Sequence, residues 1–126
     1  MITIYISPSC SSCRKAKRWL EKYNLEYVEK NLFITPLSTR EIKDILEKTE
    51  NGTEDIISTR SKVISENDID LDSMSINELI EFIKENPSAM KRPIIMEGNK
   101  LQIGYNEEEI RMFIPRKLRN LVKLDD

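Results

Sequence analysis

The sequence contains no histidine. This absence removes the usual general base of enzymes and every Ser–His or Cys–His catalytic pair. It also removes the commonest protein ligand for transition metals. Only two cysteines are present, and a closed zinc site needs four ligands. A zinc site is therefore expected only if two chains share it, and we expect no cofactor.

An excess of charge of either sign is also missing. The formal net charge is −2 although 33% of the residues are charged, so global electrostatics give no reason to expect nucleic-acid binding. No apolar run approaches the roughly 20 residues of a membrane span. Residues 1–4 lack the basic and apolar regions of a signal peptide. We therefore expect no membrane partner and a cytoplasmic location.

The two cysteines form the motif Cys10-Ser11-Ser12-Cys13. It follows a short apolar run at residues 2–6, typical of a strand, and precedes a charged, amphipathic stretch with helical spacing. This arrangement is typical of a thioredoxin-like redox site, because a helix N-terminus favours a thiolate at Cys10. Cys13 lies about one turn further on, close enough for a short disulfide. In a reducing cytoplasm such a disulfide is transient; two unrelated core cysteines are the alternative.

The two ends of the chain predict the strands of one sheet. Residues 2–6 and 27–31 read as strands joined by a helix, and a parallel crossover is the default for such a unit. Residues 92–96 and 101–103 read as a hairpin. Asn106, followed by three glutamates, predicts the start of a last helix.

The middle of the chain is mainly helical. Ser38 with Glu41, and Ser75 with Glu78, have the spacing of capping boxes, and Asn51-Gly52 marks a sharp turn between the two helices. We therefore predict an α/β fold, with a thioredoxin-like mixed sheet and a helical insertion at about residues 37–90. The 126 residues are expected to form a single domain.

Three residues are candidates for supporting the cysteine pair. Pro93 is the only strand-initial proline, where thioredoxin-like folds place a cis-proline facing the C-x-x-C; a trans edge-strand proline is the alternative, and X–Pro base rates favour it. Arg60 and Arg92 could each line a pocket for an oxyanion or sulfenate near Cys10, through the planar donor fork of the guanidinium. An exposed surface arginine is the ordinary alternative for both.

A basic stretch without acids lies near the C-terminus. It is either a solvated helix end or a patch for nucleic acid or an acidic partner. The absence of interleaved aromatic residues makes the second interpretation weak. Its charged residues are Arg111, Arg116, Lys117, Arg119 and Lys123.

Several segments, taken together, match a known family. The chain resembles the Spx-type redox-sensing transcriptional regulators of low-GC Gram-positive bacteria, in the arsenate-reductase (ArsC)-related branch of the thioredoxin-like fold. The matching segments are residues 7–16 around the cysteines, Asn51-Gly52-Thr53, residues 56–62, Lys91-Arg92-Pro93-Ile94-Ile95, residues 102–111 and residues 113–117.

The resemblance implies a function that the residues alone do not reach. Spx-type proteins bind the C-terminal domain of the RNA polymerase α subunit and redirect polymerase to thiol-stress promoters, so promoter DNA is a partner only within the polymerase complex. The glycine matching Gly52 belongs to the α-binding surface, and the arginine matching Arg92 couples the redox centre to structure. The ClpXP protease and its adaptor act on the family through the C-terminus, which in this chain is acidic, at residues 122–126.

An ArsC-like thiol oxidoreductase, which reduces arsenate or a protein disulfide, is the alternative function. Arsenate reductases place three arginines around the oxyanion; Arg60 and Arg92 fit two of these positions, but Gly104-Tyr105 occupies roughly the third. A DNA-binding protein that uses the basic stretch is a third class, and the missing helix-turn-helix pattern counts against it. We therefore predict a regulator with a Cys10–Cys13 dithiol/disulfide switch, not an enzyme.

Overall fold

The computed structural model describes residues 1–118 of the chain. The predicted first strand, helix and second strand are present as β1 (Ile2–Ile6), α1 (Ser11–Lys22) and β2 (Tyr27–Asn31). Along α1, Cys13, Ala16, Trp19 and Leu20 are buried. Residues three and four apart share one helix face, so this spacing turns one side of α1 into the core.

The central residues form short helices, as predicted. The helices are α2 (Thr39–Glu47), α3 (Thr53–Ile56), α4 (Lys62–Ser65) and α5 (Ile76–Glu85), with 3-10 turns at Leu71–Ser73 and Pro87–Ala89. Both predicted capping boxes are formed: Ser38 begins α2 and Ser75 begins α5, each with its side chain accepting the N–H of the glutamate three residues on. Asn86 ends α5 directly before Pro87.

The sheet is a mixed, four-stranded one, which confirms the predicted fold class. It has the order β2-β1-β3-β4, where β3 is Ile94–Glu97 and β4 is Lys100–Ile103. β3 pairs antiparallel with both β1 and β4. Tyr5 at the end of β1 lies opposite Ile94 at the start of β3.

The chain divides into two compact units. The first comprises Met1–Lys30 and the described residues from Arg92 onward, and the second comprises Asn31–Lys91. A cluster of buried apolar side chains fills the first unit, drawn from β1, α1, β3 and the residues after β4. In the second unit α2 packs against α5. The predicted insertion at residues 37–90 falls within the second unit, and the single domain stays a prediction.

The predicted last helix is present as a short 3-10 helix. Asn106 does begin a helical turn, since its Oδ1 atom accepts the N–H groups of Glu108 and Glu109, both at 2.9 Å. The residues that follow, Glu109–Phe113, form a 3-10 helix. Pro115 follows after one residue, and a proline disfavours helical backbone in the residue before it, so a full α-helix has no room. A further short 3-10 turn covers Arg116–Leu118.

Two predicted features lie outside the described residues. Arg119 and Lys123 of the basic stretch, and the acidic end at residues 122–126, belong to this part of the chain. Among residues 1–118, none of the helices combines the length and the apolar character that crossing a membrane requires.

Candidate functional site at the cysteine pair

The cysteine pair stands where β1 passes into α1. Ser9 takes a positive φ of 60° in the connecting loop, and Cys10 is the N-cap residue of α1, with extended backbone. The Sγ atom of Cys10 accepts the N–H of Cys13 at 3.2 Å. A cysteine sulfur thus takes the place of the oxygen that usually caps a helix, and it meets the positive end of the helix dipole.

Cys10 and Cys13 are joined as a disulfide, with their Cα atoms 5.2 Å apart. The two sulfurs differ in environment: Cys13 is 2% exposed and belongs to the core cluster, whereas Cys10 is half-buried and packs at its edge. Cys10 is therefore the cysteine that a reagent from solvent reaches first. The arrangement supports reversible thiol–disulfide chemistry.

Pro93 and Arg92 belong to the same unit as the cysteines. The Arg92–Pro93 peptide bond is cis, the first of the two alternatives that the sequence left open. Pro93 is buried, and its carbonyl accepts the N–H of Gly104 at 2.8 Å. Because Tyr5 pairs with Ile94 in an antiparallel register, continuing that register places Arg92 level with Ser7, in the loop that leads to Cys10.

The guanidinium of Arg92 is partly withdrawn from water. Its Nη1 atom is buried, and burial lowers the pKa of this side chain from its usual range. An arginine keeps its charge in proteins even so. It therefore brings a fixed positive charge to the end of β3 that lies beside the cysteine loop.

Arg60 and Gly52 lie in the second unit. Arg60 is exposed in the turn before α4 and lines a surface groove of about 890 Å³. The groove has apolar residues in its lining (Ile57, Ile64, Ile69 and Leu71), with Glu54, Asp70, Asp72 and Lys91 as its other charged residues. The predicted support of the cysteines by Arg60 stays a prediction.

Gly52 occupies a backbone conformation that requires glycine. Its φ is 71° and its ψ is −135°, and it serves as the N-cap of α3. A Cβ atom added there would meet no atom within 4 Å. The turn is thus strained for any other residue but open to approach from solvent.

Sequence analysis missed two side chains beside this turn, Thr49 and Asp55. Thr49 accepts the Gly52 N–H at 3.0 Å, and Asp55 accepts the Asn51 N–H at 3.0 Å. The signal was present, because Thr and Asp next to an Asn-Gly turn commonly bond its backbone.

As for metals, residues 1–118 hold no group of three or more Cys, Asp or Glu side chains arranged to bind an ion.

The mixed sheet and the cysteine pair at the start of α1 are those of a thioredoxin-like protein. The model of the ArsC family matches residues 5–113, so the chain belongs to the ArsC family. The global transcriptional regulator Spx of Listeria innocua is 54% identical over 94% of this chain and 91% of its own length. Spx of Streptococcus mutans is 55% identical over 94% of this chain and 87% of its own length. Within the family, the chain falls in the Spx group.

A solved structure extends the comparison to enzymes. A Streptococcus mutans protein described as a possible arsenate reductase superposes with a TM-score of 0.72 at 27% identity, and the match covers 84% of this chain and 92% of that one. Its identity is about half that of the Spx relatives. The Spx relatives are named as transcriptional regulators, which is consistent with the prediction that the chain is not an enzyme.

Proposed function

We propose that this chain is a cytoplasmic, redox-sensing regulator that binds the C-terminal domain of the RNA polymerase α subunit and controls thiol-stress genes. The observation that carries the proposal is the Cys10–Cys13 disulfide at the start of α1, in a chain of the Spx group. Promoter DNA is a partner only within the polymerase complex. ClpXP and its adaptor are further candidate partners through the family, but the acidic end of this chain departs from the family, so their recognition of residues 122–126 is not part of the proposal.

The redox step is the input of the switch. An oxidant such as hydrogen peroxide takes two electrons from the two thiols, which gives the disulfide and two molecules of water. Cys10 reacts first because it is the more exposed of the two sulfurs. Oxidation removes the negative charge that a Cys10 thiolate places at the helix start. Arg92, next to β1, is the charged residue proposed to respond to this change, and Pro93 fixes the backbone beside it. Arg60 is a further candidate for supporting the redox site.

Binding of the α subunit at the Asn51-Gly52 turn is the output. Gly52 has no side chain and open space around its Cα, so a partner surface can approach the backbone closely. Asn51 and Thr53 beside it line the surface groove. These features support a flat contact at this turn.

Titration of the purified α subunit with the reduced and the oxidised chain tests the proposal. We expect the oxidised form to bind the intact α subunit more tightly than the reduced form does, and to raise transcription from a thiol-stress promoter. An α subunit without its C-terminal domain is the control and should not bind. Equal binding to the truncated subunit would exclude the proposed contact.

The oxidoreductase alternative has one observation in its favour, the similarity to the Streptococcus mutans protein. An arsenate-reduction assay with a thiol donor separates the two functions. We expect no turnover above the Cys10→Ser variant. Turnover that disappears in Cys10→Ser would assign the chain to the reductases instead.

A further inference from the structure

One side chain on each side of the Asn51-Gly52 turn holds it in place. The first is Thr49, two residues after the end of α2. Its Oγ1 atom accepts the Gly52 N–H at 3.0 Å and donates to the Leu46 carbonyl at 2.6 Å. One hydroxyl therefore connects the backbone of Gly52 to the last turn of α2.

The second side chain is Asp55 of α3. Its Oδ2 atom accepts the N–H groups of Glu50 and Asn51, at 3.1 and 3.0 Å, and its Oδ1 atom accepts from the Asn51 side chain at 3.3 Å. Its own N–H donates to the Gly52 carbonyl at 3.1 Å. Asp55 thus fixes the residues on both sides of the turn's central peptide.

The negative charge of the Asp55 carboxylate suits it to accept the N–H groups of the turn. The hydrogen bond from the Asn51 backbone is the largest of the causes that hold the pKa of the Asp55 carboxyl below its usual range, and the nearby Lys91 ammonium acts in the same direction. Lys91 also donates to the Glu54 carbonyl at 3.4 Å. The carboxylate is therefore ionised at neutral pH and accepts charge-assisted bonds.

A turn of this kind needs such support to stay in one conformation. Glycine has more accessible backbone states than any other residue, and the conformation of Gly52 is one among them. Without the Thr49 and Asp55 bonds, the N–H groups of residues 50–52 would bond to water, and the turn would sample several conformations. A partner that binds only one conformation then loses affinity in proportion to the population of that conformation.

We propose that Thr49 and Asp55 are positioning residues, which hold the Asn51-Gly52 turn in the conformation that binds the α subunit. The inference rests on the proposed function, since it assumes that the partner contacts this turn. It adds that affinity depends on two side chains that need not touch the partner.

Paired variants of the full-length chain test the inference by titration with the purified α subunit. Thr49→Val removes the hydroxyl at almost constant shape, whereas Thr49→Ser keeps it. Asp55→Ala removes the carboxylate, whereas Glu66→Gln removes an exposed negative charge elsewhere in the same unit. We expect Thr49→Val and Asp55→Ala to weaken binding about fivefold, as for a turn that keeps its conformation a fifth of the time. Thr49→Ser and Glu66→Gln should bind as the unmodified chain does.

Amide hydrogen exchange at residues 50–52 supplies a local measurement. Exchange should accelerate in Thr49→Val and Asp55→Ala, and return to the unmodified rate in Thr49→Ser. This pattern, together with the loss of affinity, supports a positioning role, because a general loss of stability would accelerate exchange throughout the unit.

Gly52→Arg separates failure of the inference from failure of the proposed function. If Gly52→Arg binds the α subunit like the unmodified chain, the turn is not the contact, and the proposed site itself is wrong. If Gly52→Arg loses binding while Thr49→Val and Asp55→Ala keep it, the positioning role alone is overturned. The positioning role is also overturned if Thr49→Ser weakens binding as much as Thr49→Val does.

Discussion

At the scale of single residues, the two cysteines differ in their access to solvent. Cys13 is 2% exposed, whereas Cys10 is half-buried at the N-cap of α1. We expect a reversible disulfide whose reduced form reacts first at Cys10, because both alkylating agents and peroxide must reach the sulfur from solvent. Thiol counting after mild peroxide should fall from two thiols to none and return to two after reductant.

The single-cysteine variants are the controls for this prediction. Cys13→Ser should be alkylated at close to the rate of the first thiol in the unmodified chain, and Cys10→Ser more slowly, since its remaining thiol lies in the core cluster. Two titratable thiols that persist after peroxide would exclude a redox switch at this pair.

Arg92 is the residue expected to report the redox state of the pair. It lies one residue before the cis-proline at the end of β3 beside the cysteine loop. A Cys10 thiolate would attract its guanidinium, and the disulfide would release it. We expect Arg92→Ala to reduce the difference in promoter activation between the oxidised and reduced chain.

Arg92→Lys is the matched control, because it keeps the charge and loses the planar donor fork. A partial loss in Arg92→Lys would show that geometry as well as charge contributes. Transcription assays measure directly the ratio of promoter activation by the oxidised chain to that by the reduced chain. If Arg92→Ala keeps the unmodified ratio, another residue couples the redox centre to the output.

The sequence was informative for these residues to different degrees. Cys10 and Cys13 follow from a motif at a strand-to-helix junction, and the disulfide agrees with that prediction. Pro93 follows from the fold that the motif indicates, but the sequence left its cis or trans state open, and the structure shows cis. Thr49 and Asp55 could not be assigned in the same way. Which backbone N–H a side chain accepts depends on the dihedral angles of the turn, and many short polar residues lie near this one.

At the scale of elements, the capping boxes test how local sequence stabilises the helices. Ser38 accepts the N–H of Glu41 at 3.1 Å, and the Glu41 carboxylate accepts the N–H of Ser38, also at 3.1 Å. We expect Ser38→Ala to lower the free energy of unfolding by about 1 kcal/mol, the usual cost of losing an N-cap. Urea denaturation followed by circular dichroism measures this change.

Ser38→Asn is the control, because asparagine caps helices about as well as serine. It should unfold at the same urea concentration as the unmodified chain. If Ser38→Ala also unfolds at the urea concentration of the unmodified chain, the burial of Ile42 and Ile45 holds α2, and the cap contributes nothing measurable to stability.

Elements were predictable where a local signal decides the structure. Ser38 and Ser75 begin helices at the predicted residues because each capping box satisfies N–H groups that the helix itself leaves unpaired. The segment after Asn106 carries a comparable start signal, yet it forms a 3-10 helix. There the deciding factor is Pro115, which limits the length of the helix regardless of how well it begins.

At the scale of the whole molecule, the proposed input and output lie in different units. The cysteine pair belongs to the first unit and the Asn51-Gly52 turn to the second. The hydrophobic pattern identifies the strands and helices of each unit, but a division into units depends on contacts between residues far apart in sequence. The sequence therefore predicted one domain with an insertion, and the function of the insertion came from the family resemblance.

Gly52→Arg tests the output of the whole molecule. A large cation at this turn would block a flat contact with the α subunit, so we expect affinity to fall on the order of a hundredfold. The fold should persist, since a Cβ atom at Gly52 meets nothing within 4 Å. The positive φ of 71° adds backbone strain of roughly 1–2 kcal/mol for a non-glycine residue.

Gly98→Arg provides the matched control for that strain. Gly98, in the turn between β3 and β4, also has a positive φ, of 58°, and equally open surroundings, so the substitution places the same charge at another positive-φ glycine, in the first unit. If only Gly52→Arg loses α-subunit binding while both variants keep the helical circular dichroism of the unmodified chain, the loss is specific to the turn. If both variants lose α-subunit binding equally, the loss comes from an effect on folding. Unchanged affinity in both would remove Gly52 from the interface, and the partner would have to bind another surface.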